Sequence, residues 1–230
     1  MIGRSHHAEV ARAVEGNLEW CAAVCRAHGI GGHRTGHFWV AEGASPARYP
    51  TAISVVPGGM ASELKPHVMA SGASVKDSFG DTDLGSAGFH RLFDAHWLSF
   101  DATPEAVAPD LDWSVADTPE QLTAWMLASE SGDVVPAGLL RSEGFHALLA
   151  RRQGRVVAGA TAFQHRGAVG ISNLFSLHLD RDEAWAGTAR HLRALTGADA
   201  VVSYAHGPDL EAAEAAGFGR LGPLTVWIRP

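Results

Sequence analysis

The clearest periodic signal lies at the amino end, where Val10, Val14, Leu18, Cys21 and Cys25 recur every three or four residues from about Ser5 to His28, with Gly29 as a stop. This predicts an amphipathic helix that Gly16-Asn17 could split. Two strand-like runs follow, Gly36 to Ala41 and Thr51 to Pro57, joined by the turn-rich Gly43-Ala44-Ser45-Pro46, so a hairpin is the economical reading. Residues 60–88 are rich in Gly, Ser and Asp and read as loop. Phe89, Leu92, Phe93 and Trp97 then suggest a short helix running into an extended Trp97-Leu98-Ser99-Phe100, and the Ala-, Pro- and Asp-rich stretch from Asp101 to Asp112 reads as a linker.

Beyond that linker the pattern sharpens. Trp113-Ser114-Val115 is a short strand, and Thr118-Pro119-Glu120-Gln121 is a capping box with proline at the first helical position, opening a helix through Leu122, Trp125 and Met126. Phe145 to Arg152, Arg155 to Gln164 and Ala168 to Leu179 read as a three-strand antiparallel meander on the tight connections Gln153-Gly154 and His165-Arg166-Gly167. A helix carries Trp185, Ala189, Leu192 and Leu195 on one face and ends at Gly197. The apolar strand Ala200 to Ala205, a helix from Pro208 to Ala216 stopped by Gly217, and a strand from Leu224 to Ile228 complete the chain. The expected class is mixed α+β rather than a doubly wound dinucleotide fold, and two regions are expected, 1–109 and 110–230.

Composition narrows the function classes. The 230 residues are 46% hydrophobic and 19% charged, with 18 basic against 25 acidic groups and a net charge of −7, which argues against general nucleic-acid binding. No 18-residue apolar run and no signal-peptide pattern occur, so the expected compartment is the cytoplasm, with no membrane partner. Cys21 and Cys25, four apart on a helix, read as buried thiols. Gly217-Phe218-Gly219-Arg220-Leu221-Gly222 matches a dinucleotide motif by letter, but it follows a helix and precedes a strand, the reverse of the required context. His90, Asp94 and His96 have suggestive spacing without a supporting Cys or Glu cluster, so no metal is expected.

The element order over residues 110–230, the meander Arg155-Val156-Val157-Ala158-Gly159-Ala160-Thr161-Ala162-Phe163, the strand-loop-helix from Ile171 to Leu195, and Ala212-Ala213-Glu214-Ala215-Ala216-Gly217-Phe218 before a final strand resemble the GNAT family of N-acetyltransferases. The resemblance implies a central, mostly antiparallel sheet flanked by helices, with an amino-terminal α/β half that would be either a degenerate second unit or an extension covering the sheet. It implies an acetyl-CoA or other acyl-CoA co-substrate in a cleft between the fourth and fifth strands of the domain, held by backbone groups at Phe175, Ser176 and Leu177. The acceptor would be a small-molecule amine, and a homodimer stays an open alternative. For proton transfer the resemblance points to His206, Tyr204 and Asn173, with Ser172, Ser203 and His178 nearby.

Two departures from the family pattern matter. Its glycine-rich pyrophosphate loop is replaced by Asp180-Arg181-Asp182-Glu183-Ala184-Trp185-Ala186-Gly187-Thr188-Ala189, in which only Gly187-Thr188-Ala189 echoes the pattern. Asp180-x-x-Glu183 resembles a capping box whose carboxylates would repel phosphate. A helix beginning near Ala186 would instead leave Gly187, Thr188, Ala189 and Arg190 to face it. The second departure is Ala213, where many family members carry a tyrosine acid. These departures motivate the alternatives of a catalytically degenerate binding or regulatory module and of an acyltransferase with a non-CoA donor.

Overall fold

A computed structural model of the chain describes residues 2–100 and 111–230. Asp101 to Asp110, most of the expected linker, lie outside the described residues. Helix α1 runs unbroken from Ile2 to Ala27 and ends before Gly29, which sits at φ 77°. Gly16 and Asn17 do not split it. The strands are β1 (Gly32–Thr35), β2 (Phe38–Ala41), β3 (Ala52–Ser54), β4 (Ser74–Asp77), β5 (His90–Phe100), β6 (Asp112–Val115), β7 (Phe145–Arg152), β8 (Arg155–His165), β9 (Ala168–Ser176), β10 (Ala200–Ala205) and β11 (Phe218–Ile228). The further α-helices among the described residues are α2 (Pro119–Ser129), α3 (Arg181–Thr196) and α4 (Gly207–Ala215). The Thr118–Gln121 capping box forms as the sequence requires.

The eleven strands among the described residues join one mixed, mostly antiparallel sheet in the order β1-β2-β3-β4-β11-β5-β10-β9-β8-β7-β6. Helices α1 and α2 share a core with Trp39, Ala41, Ile53, Ala147 and Leu149, whereas α3 and α4 pack with Leu98, Leu148, Ala160 and Val201. The sheet is therefore covered on both sides. Strand β2 shows why its sequence is uniformly apolar: Trp39 and Ala41 point to α1, and Phe38 and Val40 point to a second cluster with Leu64, Val68 and Leu84.

Three elements depart from the sequence pattern. Residues 89–97 form no helix: His90–Phe100 is one continuous strand bonded to β10 on one side and β11 on the other. The spacing of Leu92, Phe93 and Trp97 suits a helix locally, but pairing with β11 along the strand, joined by β10 at His96–Phe100, decides for β. The stretch read as loop holds β4 and two short 3-10 turns. Finally, β11 begins at Phe218 rather than Leu224, so the glycine hexad, apart from Gly217, lies within a bulged strand.

Candidate functional site

Strands β9 and β10 run parallel but pair only through Ala168–Gly170 and Ala200–Val202. Beyond that the two strands part, and the Ser203 hydroxyl donates to the Ile171 carbonyl (3.0 Å) at the fork. The parting has a local cause. Between the pairs Thr161–Ser172 and Gly159–Phe175, β9 spends three steps against two in β8, a bulge with Asn173 at φ 49°. An extra residue bends its strand, and asparagine tolerates the left-handed region better than most residues. The Asn173 side-chain amide donates to Thr161 Oγ1 (3.0 Å) and to the Tyr49 hydroxyl (3.2 Å), pinning the bulge to β8 and to the amino-terminal half. Strict alternation would send Ser172 and Asn173 to opposite faces; the bulge breaks it, and both line the resulting cavity with Ile171 and Leu174.

That cavity, about 230 Å³, takes walls from both halves of the chain: Asn17, Trp20 and Cys21 from α1, Lys76 from β4, Phe93 from β5, and Tyr204 and His206 at the end of β10. Asn173, Tyr204 and His206 are thus brought together around one space. The Tyr204 ring meets Trp97 edge-on at 5.5 Å and carries the Lys76 ammonium 4.3 Å from its centroid. His206 is exposed, precedes α4 and stacks on Phe93 at 4.3 Å. Burial pushes the Tyr49 hydroxyl well above the ordinary phenol range, so it remains protonated beside Asn173. Burial likewise raises the Cys21 thiol and pushes Cys25 up to about 11, which suits two inert thiols.

Sequence reasoning missed Tyr49 and Lys76. Lys76 is 3% exposed and donates to Asn17 Oδ1 at 2.6 Å. A signal existed: it is one of only two lysines, set in the strand-like Ser74-Val75-Lys76-Asp77.

The expected cofactor-binding positions fare unevenly. Leu177 donates its backbone N–H to Val157 at 2.8 Å, toward β8. Alternation then turns Phe175 the same way and leaves Leu174 and Ser176 with backbone groups facing the gap. The Phe175 ring packs instead on Trp125. Helix α3 starts at Arg181, not near Ala186, so Gly187, Thr188 and Ala189 lie in its interior, all buried. Their amides belong to the helix ladder and do not form a terminal phosphate site. A Cβ on Gly187 would come within 2.9 Å of the Trp113 ring, so this glycine serves close packing of β6 on α3. Arg190 is half-buried and shares a hollow of about 270 Å³ with Asp182 and Glu183.

The expected capping box at Asp180 does not form: Asp180 is the N-cap residue but makes no side-chain cap bond. Glu183 pairs with Arg152 at 2.7 Å, and Arg181 pairs with Asp209 of α4, linking the first turns of the two helices.

No protein-family model matches the chain, and no curated protein is similar to it in sequence. Solved structures are similar in fold. A GCN5-related N-acetyltransferase from Kribbella flavida superposes with a TM-score of 0.65 at 15% identity, covering 96% of this chain and 95% of its own. A GCN5-related N-acetyltransferase-like protein from Streptococcus suis gives 0.58 at 13% identity over 87% and 88% of the two chains. A functionally unknown conserved protein from Staphylococcus epidermidis gives 0.57 at 9% identity over 69% and 72%. The fold is therefore GNAT-like over nearly the whole chain, amino-terminal half included.

Proposed function

We propose that the chain is an acyl-CoA-dependent N-acyltransferase acting on a small-molecule amine. The observation that carries the reading is the fork between β9 and β10, opened by the Asn173 bulge onto a cavity that Tyr204 and His206 share. Acyl-CoA would supply an activated thioester. The fork fits its extended arm, because the unpaired edge of β9 offers backbone groups at Leu174 and Ser176. A backbone amide fixed at the bulge is preorganised to stabilise negative charge on an acyl oxygen, without reorganisation during reaction. In this reading His206 accepts a proton from the amine, directly or through water, and Tyr204 returns one to the departing sulfur. The walls from both halves hold the amine close to the acyl carbon.

The amino-terminal residues 1–109 would be a degenerate second copy of the same unit. The sheet order supports this. In the carboxyl half the antiparallel β7-β8-β9 is followed by the parallel β10; in the amino half the antiparallel β1-β2-β3 is followed by β4, parallel to β3 over two residues. The last strands cross over: β5 lies beside β10, and β11 lies beside β4. In this reading 60–72 and 78–89 stand where the second unit has lost its two helices.

One observation favours a second reading, a module of this fold without acyl transfer. The first turn of α3 carries Asp182 and Glu183 where a pyrophosphate would meet free amides, and fits that group poorly. Calorimetric titration with acetyl-CoA separates the readings. Saturable binding with 1:1 stoichiometry supports the acyltransferase, and the absence of heat and of thermal stabilisation at millimolar acetyl-CoA overturns it.

A further inference from the structure

A second chamber of about 840 Å³ adjoins the fork and shares Arg48, Tyr49, Lys76, Phe93, Asn173 and Tyr204 with it. Its charge is anomalous. The chain carries a net −7, yet among the described residues that line this chamber the ionisable groups are Arg48, His67, Lys76 and two tyrosines, with no aspartate or glutamate. A concave, low-dielectric surface of one sign concentrates the opposite charge.

Lys76 is the centre of this field. Its ammonium is nearly sealed from solvent and meets the Asn17 amide oxygen and the Tyr204 ring face, both uncharged. Cys21, which approaches the same Asn17 oxygen at 3.8 Å, is a thiol and brings no negative charge. A buried ammonium is costly unless an anion meets it, and three donors outnumber the single hydrogen bond it makes to Asn17. Arg48 lines both cavities, held at φ 70° in the segment between β2 and β3, and brings a planar fork of donors that matches a carboxylate. Beside the cations the chamber is apolar: Val226 is the cross-strand neighbour of Lys76, and Ile228 and Leu92, half of it exposed, extend the wall.

Building on the acyltransferase reading, we propose that the acceptor is an amine bearing a carboxylate on an apolar body, an amino-acid-like acid. Its carboxylate sits on Lys76 and Arg48, its body lies in the larger chamber, and its amine points through the shared wall toward Asn173, Tyr204 and His206. The N-acyl product occupies the same place, so binding is measurable without a donor.

The test is calorimetry on the full chain, without CoA, with N-acetyl-L-phenylalanine and with N-acetyl-L-phenylalaninamide, which differ at the carboxylate. The acid is expected to bind about tenfold or more tightly than the amide, the scale of one charge-assisted hydrogen bond. Lys76→Met should abolish the preference while leaving weak binding of the amide. Arg48→Gln, at an exposed site, should reduce it and stands in if Lys76→Met does not fold, as thermal melting will show. Equal affinities, no binding of either probe, or an undiminished preference in a folded Lys76→Met protein or in Arg48→Gln when that variant stands in overturns the proposal. A carboxylate preference in a protein that ignores acetyl-CoA would keep the anion site and remove the acyl transfer. Acetyl-CoA binding without the preference would do the reverse.

Discussion

Asn173→Ala probes the feature that opens the fork, and its cost can be worked from the structure. The substitution deletes the two hydrogen bonds to Thr161 and Tyr49, each worth about 1 kcal/mol net. It also places a Cβ-bearing residue without a local hydrogen-bonding group at φ 49°, which adds about 1 kcal/mol over asparagine. The total is about 2–3 kcal/mol, or a fall in Tm of roughly 5–10 °C for a chain of this size. Asn173→Gly loses the same hydrogen bonds but adopts the left-handed region freely, so it should be about 1 kcal/mol more stable than the alanine variant. Equilibrium unfolding in urea ranks the three proteins, and acetyl-CoA calorimetry reads the fork. The expected order in both stability and affinity is wild type, then Gly, then Ala. An alanine variant as stable as the glycine variant would refute the argument that a left-handed bulge residue holds the strand apart.

Removing negative charge from the first turn of α3 should favour a phosphate-bearing ligand: Glu183→Gln, which also removes the ion pair with Arg152, is expected to tighten acetyl-CoA about two- to fivefold by calorimetry, and unchanged or weaker binding would count against an α3 phosphate site. Trp125 is fully buried and donates to the Leu148 carbonyl at 3.1 Å, so Trp125→Ala should cost about 3–5 kcal/mol in urea unfolding; a loss below about 1 kcal/mol would contradict its place in the core. Burial lowers the pKa of both His146 and His191 below the ordinary 6.5, so the unfolded chain binds more protons there. Their contribution is full above the unfolded value and is lost as pH falls below it. The Tm should therefore drop on acidification from about pH 6.5, with a shallower slope in a His191→Asn variant, and an unchanged slope would discount His191.

Much of the carboxyl half was legible because its signals are local. The Thr118 capping box, the turns at Gln153-Gly154 and Arg166-Gly167, with Gln153 and Arg166 at positive φ, and the Gly197 C-cap each fix their own few residues. The amino half resisted because β4 and β5 are strands by virtue of their partners. β4 is four residues in a Gly- and Ser-rich stretch, and β5 carries a spacing that suits a helix in isolation.

The candidate site divides along the same line. Asn173, Tyr204 and His206 are named through the family resemblance, and the structure brings all three to the lining of one cavity. The start of α3 could not be read that way, since glycine at 187 reads equally as a phosphate cradle or as room for Trp113, and only packing distinguishes them. By itself the sequence determined the α+β class, the carboxyl-half helices apart from where α3 begins, and the β7-β8-β9 meander, through periodicities and caps that act within a few residues. Only the tertiary structure decided that β5 and β11 cross between halves, that Asn173 bends β9 away from β10, and that Lys76 lies buried beside the fork. Those outcomes depend on contacts between residues as distant as Asn17 and Lys76 or Tyr49 and Asn173, which no local pattern encodes.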